Sequence, residues 1–510
     1  MYTSQIAGLR YFPDRDKWAF VEIDRVDQWI HDSMKLVIAI RRSDRSYCGS
    51  NWLRLVLVVE LQMINSAGNS TRAIVTRERQ KSLVLRAWIL SGLFFMALPG
   101  TLLGFSNLMA ISAHHGSANL PPAWMEGHGH AQMFGWIGSF ILGIGFYSQP
   151  TRERSILSLP VTCFSLWTVG VALRWLANIY AWHWRTLFPV SAGLELIAVL
   201  LFLSAASRHK LPESEQGNRA KPGMELWMVS VLLGTGGLTA AVIFNFVECL
   251  RLALQGTLLS FPHALDQKYL VLMGWGFIVP VVWGFSARWL PAFLAIPKPD
   301  TPKLRLALAL NLLGVLCGVS GWTGAATILL ACSAIVIGLA LHLAQQPQGH
   351  AKVQGIHPSF PSFIRIAYAW LLIAGCMSIW AAFADRHGGI WGASRHALTV
   401  GFAATMVFSI GPRILPHFAG VRAIFSKRLM FLSLFFLQTG CLLRVSSEPL
   451  AYEGLLSVAW KLLPISGMLE LSAVLLFAVN LTLTLLLGNS VFAGDGPRQP
   501  LWRRFVHLSD

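Results

Sequence analysis

Two histidines at matching places in copies of one segment are the strongest chemical signal in this chain. His130-Ala131-Gln132-Met133-Phe134-Gly135, running on to Gly145 and Pro150, aligns without gaps on His396-Ala397-Leu398-Thr399-Val400-Gly401, running on to Gly411 and Pro416. A third copy runs from Tyr269 through Gly274 and Gly284, with tyrosine in place of histidine. Neutral imidazole is a good donor to haem iron and to copper. A histidine inside a membrane span marks function by default. Two axial imidazoles from different helices, His130 and His396, would hold a six-coordinate haem b. Gly127, Gly129, Gly135 and Gly401 would keep the helix faces free of bulk beside a flat macrocycle.

Other residues could complete such a site or simply hold the fold. Arg174 and Arg444 are repeat-equivalent, and each could clamp a haem propionate or snorkel to the interface. His128 lies two residues before His130 and points about 200° away around a helix, so both cannot face one haem. It could instead join His114 and His115 around a copper ion. His263 and Tyr269 open the third copy, as a site lining or as an interfacial belt. Glu195 and Glu470 are equivalent positions of a second duplicated stretch, Pro189 to Phe202 against Pro464 to Phe477. They could relay protons, or bond nearby backbone and Ser191 or Ser466. Glu126 and Arg395 flank the key histidines and could orient them. His417 lies about 30 Å along the helix from His396 and cannot share its site. Shared ancestry alone could explain shared residues, so a structural role for the histidines stays open.

The elements that must position these residues are membrane helices. The 510 residues are 54% hydrophobic and 13% charged, with mean hydropathy +0.55, against about 25% charged in soluble domains. The net charge of +17 comes from basic residues between apolar runs and is not a nucleic-acid signal. The seven cysteines show no paired spacing and imply no disulfides. Apolar runs of about 20 residues predict twelve spans, near 86–110, 127–149, 156–180, 187–206, 225–248, 267–288, 304–322, 323–343, 364–384, 391–413, 429–447 and 464–488. Only Gly321-Trp322-Thr323-Gly324 signals the split of 304–343. Loops rich in Lys and Arg alternate with poor ones, which places both termini in the cytoplasm. The duplicated segments are then spans 2, 6 and 10, so each repeat has four spans. Four is even, so the copies are parallel, as three four-helix arcs (about 85–206, 225–343 and 364–488) around a pseudo-threefold axis. Residues 1–84 read as a polar segment, disordered or translated from an upstream start, since Met63 precedes the first span by a natural distance. Residues 491–510 read as a cytoplasmic tail.

Twelve spans in three arcs with histidines on spans 2 and 10 resemble the catalytic subunit of haem–copper oxidases, where histidines of those two spans hold the low-spin haem. The segments GHGHAQMFGW (127–136) and RHALTVGFAATMVFSIGPRILPHFAG (395–420) are similar to the NnrS family, haem- and copper-containing membrane proteins of the bacterial nitric-oxide response. That resemblance covers about 86–490 and implies haem, copper, a diatomic gas and a redox partner in a bacterial inner membrane. The chain departs from the oxidases at their copper site: span 6 offers only Tyr269, and Leu304 to Trp322 holds no histidine. Three readings follow: an NnrS-like haem protein, an oxidase-like redox enzyme with a relocated site, and a transporter with structural histidines.

Overall fold

The computed structural model describes residues 7–12, 17–22, 78–148, 158–207, 224–256, 258–349 and 355–488. The chain divides into Met1–Thr76 and Arg77–Asp510. In the first unit, strands β1 (Ala7–Phe12) and β2 (Lys17–Glu22) pair antiparallel, with Ala7 opposite Glu22. The rest of the segment read as polar, up to residue 77, lies outside the described residues, as does the tail beyond 488.

Among the described residues, the regular elements of the second unit are all helices. Eleven helices are long and apolar enough to cross a membrane: α1 (Glu78–His114), α3 (Ser158–Tyr180), α4 (Trp184–Ser207), α5 (Leu226–Gln255), α6 (His263–Leu294), α7 (Thr301–Ser320), α8 (Thr323–Ala340), α9 (Phe360–Ala384), α10 (Gly389–Phe418), α11 (Lys427–Tyr452) and α12 (Ala459–Leu487). The twelfth, α2 (122–148), is as long but more polar, because it carries His128, His130 and Gln132. The expected all-helical membrane architecture therefore holds, and the chain is a multi-pass membrane protein. Helix α1 begins at Glu78, inside the stretch read as a separate N-terminal segment.

The split between α7 and α8 has a clear cause. Gly321 takes the left-handed conformation (φ 92°), and Trp322 N–H donates back to the Cys317 carbonyl at 2.8 Å. Glycine is the residue that tolerates this turn, which satisfies the last carbonyls of the helix. Asp300 caps the start of α7 by accepting from Lys303 N–H at 3.2 Å, and Pro302 follows in the first turn, where its missing N–H costs nothing.

Consecutive helices pack side by side, and α12 packs back on α1, so the unit closes into a ring. Leu108 and Phe105 of α1 fit against Gly467 of α12, where a Cβ would lie 3.0–3.1 Å from them. Helices α2, α6 and α10 occupy the middle. Trp136 of α2 meets Phe408 of α10 (6.0 Å), Phe134 of α2 meets Tyr269 of α6 (6.4 Å), and Leu398 of α10 fills the space beside Gly274 of α6. The central position shows in burial: 78% of the apolar stretch of α6 and 67% of that of α10 are covered by protein, against 28–50% in the other nine spans. Outward faces carry leucine, valine and phenylalanine, such as Leu200, Val247, Leu312 and Phe383. Lipid demands this, while helix association rests on close packing at small residues.

Two features recur between the duplicated segments. The first is a π-helical turn in each central helix, at Ala131–Gly138, Leu272–Ile278 and Ala397–Ala404. The second is a glycine against a carboxylate. A Cβ on Gly170 would meet Glu195 Cγ at 2.9 Å and the Ser191 carbonyl at 2.9 Å; one on Gly440 would meet Glu470 Cγ at 2.8 Å and the Ser466 carbonyl at 3.0 Å.

Candidate functional site

Both key histidines are the last α-helical residue before a π turn: His130 precedes Ala131–Gly138 and His396 precedes Ala397–Ala404. Such wide turns are uncommon and gather at functional sites. Helix α1 carries its own π turn, Met96–Leu102, around Pro99. Proline has no N–H and clashes with the carbonyl four residues earlier, so the helix must open there. Side chains of neighbouring helices bond the carbonyls of that turn: Trp175 Nε1 donates to Pro99 O at 3.2 Å, and His128 Nδ1 lies 2.8 Å from Gly100 O.

The first cluster lies where α1, α2, α10 and α11 meet. The His128 ring takes the space a side chain at position 104 would need: a Cβ on Gly104 would lie 2.5 Å from His128 Cε1. On α10, His396 Nδ1 lies 2.8 Å from its own helix's Gly392 O and 3.7 Å from Glu448 Oε2. A carbonyl can only accept, so both Nδ1 atoms carry the proton and both Nε2 atoms keep a lone pair. The two imidazoles are near enough to interact electrostatically, and Arg444 of α11 is within electrostatic reach of both. Arg444 Nη2 donates to Glu448 Oε1 at 3.1 Å. Its Nε and Nη1 are buried without a hydrogen-bond partner, as are Glu448 Oε2, Glu470 Oε1 and Gln132 Oε1. Buried polar atoms are rarely left so.

The second cluster lies among α2, α3, α4, α5 and the start of α6; both oxygens of Glu195 and of Glu126 are bonded, while Arg174 Nε, Ser191 Oγ and the Tyr269 hydroxyl are buried without a partner. His130 Nε2 donates to Glu195 Oε1 at 2.8 Å. Asn245 Nδ2 donates to Glu195 Oε2 at 3.0 Å, so the carboxylate accepts on both oxygens. Cys249 Sγ lies 3.5 Å from Asn245 Oδ1 and accepts from Arg174 Nη1. Arg174 Nη2 donates to Glu126 Oε2 at 3.2 Å, and the other Glu126 oxygen accepts from Phe261 N–H. Phe188 and Phe261 sandwich the guanidinium, 4.2 and 5.1 Å from their ring centres. His130 stacks on Phe134 at 4.6 Å, and Phe134 on Trp167 at 5.2 Å.

The structure therefore separates residues that the sequence reading put together. His130 and His396 do not share a cluster; His396 lies with His128 instead. The physical reason is the 200° offset between residues 128 and 130: once His130 faces α4, His128 must face α1. Arg174 bonds Glu126 and Cys249 and leaves only Nε without a partner, whereas Arg444 leaves Nε and Nη1. Of the glycines read as a macrocycle face, only Gly129 has open space beside it: a Cβ on Gly135 would strike Phe95 and one on Gly401 would strike Trp370, at 2.6 and 2.5 Å, and one on Gly127 would meet Asn178 at 3.2 Å. The copper grouping is not assembled: His114 is exposed, His115 stacks on Trp460 at 5.4 Å, His128 turns to Gly100, and Tyr269 sits among Phe134, Phe244 and Phe261. Among the described residues no group of three or more His, Cys, Asp or Glu could hold a metal ion. Glu126 does orient a partner, but that partner is Arg174. His417 ends α10 beside Phe418.

Residues the sequence reading missed are Glu448, Gly392, Gly104, Asn245 and Cys249. Glu448 had a signal: it stands four residues after Arg444, one helical turn on the same face. Pro99 followed by Gly100 and Gly104 was another, since proline in a span marks a helix with free carbonyls.

Residues 306–486 match the model of a domain family of unknown function (DUF8744). No curated protein matches. Among solved structures, the chain is similar to a cryo-EM structure of a heme-copper terminal oxidase dimer, with a TM-score of 0.59 and 14% identity, over 84% of this chain and 89% of that chain. The two share a fold.

Proposed function

We propose that this protein binds haem between α2 and α10 through His128 and His396, and that it serves the bacterial response to nitric oxide. The observation that carries the first part is the matched state of the two imidazoles: each gives its Nδ1 proton to a glycine carbonyl and keeps its Nε2 lone pair free. Histidine ligands are held in this way, because the second hydrogen bond sets the tautomer and fixes the ring. The surroundings suit the group. Arg444 has two unpartnered nitrogens for a propionate. Gly104 leaves α1 flat where His128 lies. Haem, when bound, would supply an iron that exchanges one electron. The protein's own part is to hold the two rings, pair the anionic edge with Arg444 and keep bulk water out.

The likeness of 127–136 and 395–420 to NnrS segments supports the nitric-oxide role. The alternation of basic loops supports an inner-membrane location with both termini in the cytoplasm. The recurring π turns and glycine–carboxylate contacts support three parallel four-helix repeats. The oxidase-like enzyme reading finds less support. The interface of α6 and α10 is packed with apolar groups, such as Leu398 against Gly274.

The test is the visible spectrum of the purified protein and its variants. Wild type should show a Soret band; His128→Ala and His396→Ala should lose it while eluting as folded protein; His130→Ala should keep it. A band that survives in His128→Ala and vanishes in His130→Ala would refute this ligand assignment. Nitric-oxide consumption by membranes, with and without the gene, then tests the physiological part.

A further inference from the structure

We propose that Glu448 is a positioning residue for His396, an anionic partner that makes the two imidazoles electronically unequal and lowers the reduction potential of the iron they hold. This rests on the haem reading above. His128 and His396 each bond a neutral glycine carbonyl at 2.8 Å, but only His396 has a carboxylate oxygen behind its Nδ1, at 3.7 Å. That distance is beyond a hydrogen bond and within reach of a direct charge interaction. The same oxygen, Oε2, is buried and has no hydrogen-bond partner, and Arg395, next to His396 in the chain, lies within electrostatic reach of the carboxylate. The other oxygen is held by Arg444 from one turn earlier, which fixes the carboxylate on α11.

Room for this carboxylate is built into α10. A Cβ on Gly392 would lie 2.1 Å from Glu448 Oε1 and 2.7 Å from its Cδ. One glycine therefore does two jobs: its carbonyl takes the Nδ1 proton, and its missing side chain admits Glu448. Position 392 matches position 126 of the first copy, where the chain has Glu126 bonded to Arg174. The carboxylate that serves the arginine has thus moved from the central helix to α11 in the third copy, and that move places it behind the histidine. A negative charge behind an imidazole N–H raises the basicity of the ring and favours the more oxidised metal.

The experiment is a redox titration of the Soret band in wild type, Glu448→Gln, Gly392→Ala and Glu195→Gln. Glu448→Gln removes the charge at nearly constant shape. Gly392→Ala keeps the charge and forces the carboxylate away, so it probes the same contact if the first variant folds poorly. Both should keep a Soret band and move the midpoint potential upward. Glu195→Gln removes an equally buried carboxylate beside His130 and should titrate with wild type. Unchanged midpoints in Glu448→Gln and Gly392→Ala, or an equal shift in Glu195→Gln, would overturn the role of Glu448. A wild type without a Soret band, or one whose band survives in His128→Ala, would instead overturn the haem reading beneath it.

Discussion

In the first repeat, His130 gives its Nε2 proton to Glu195, Asn245 fills the other oxygen, and Arg174 is shared between Glu126 and Cys249. In the third, the equivalent His396 turns its Nδ1 to Gly392, Glu470 keeps an unpartnered oxygen, and Arg444 keeps two unpartnered nitrogens. The same three residue types, at the same places in the duplicated sequence, make a more closed network in one region, where Arg174 leaves one nitrogen unpartnered, and a more open one in the other, where Arg444 leaves two and Glu470 an oxygen. Their frameworks are alike: Gly170 packs on Glu195 as Gly440 packs on Glu470. What differs is the set of neighbours. Asn245 and Cys249 of α5 complete the first cluster, while the third has His128 arriving from α2 across the ring's closure. A buried polar group either finds a partner in the protein or marks where a partner is missing. The first region therefore serves stability, and the other carries the proposed haem site.

Breaking the closed network should have the largest effect on stability. Glu195→Leu leaves His130 and Asn245 buried and unpaired, which costs about 3 kcal/mol. The apparent melting temperature in detergent should fall while the Soret band stays. Loss of haem with unchanged melting would reverse the roles given to the two regions. Gly104→Ala attacks the open region. Its Cβ would enter the His128 ring, and overpacking of this kind costs roughly 1–3 kcal/mol. Haem content should drop several-fold. Gly129→Ala, whose Cβ meets nothing within 4 Å, should leave haem content at the wild-type level. Thr101→Val is the smallest change. It removes the 2.8 Å bond from Gln132, worth about 1 kcal/mol, and should leave the absorption spectrum unaltered.

Helices and their ends were legible because hydropathy and turn chemistry are local. The structural boundaries of α3 and α9 differ from the expected ones by a few residues, and Gly321 divides α7 from α8 where the only turn signal lay. The pairing of Glu195 with Glu470, and of Arg174 with Arg444, could be read from the duplication. Which of these residues are saturated could not, since Asn245 and Cys249 carry no pattern that ties them to Glu195 and Arg174. Glu448 was readable as an i+4 partner of Arg444, but its place behind His396 depends on how α11 leans on Gly392.

From the chain alone came the membrane class, the twelve helices, the duplicated histidines and the rule that His128 and His130 face opposite ways. All of these follow from spacing along one helix. Tertiary structure decided which of the two histidines meets His396. That outcome depends on the rotation of α2 about its own axis, set by the π turn at Pro99, by Phe95 against Gly135 and by Glu195 reaching for His130. Rotation is a property of packing between helices, and no periodicity within one helix encodes it.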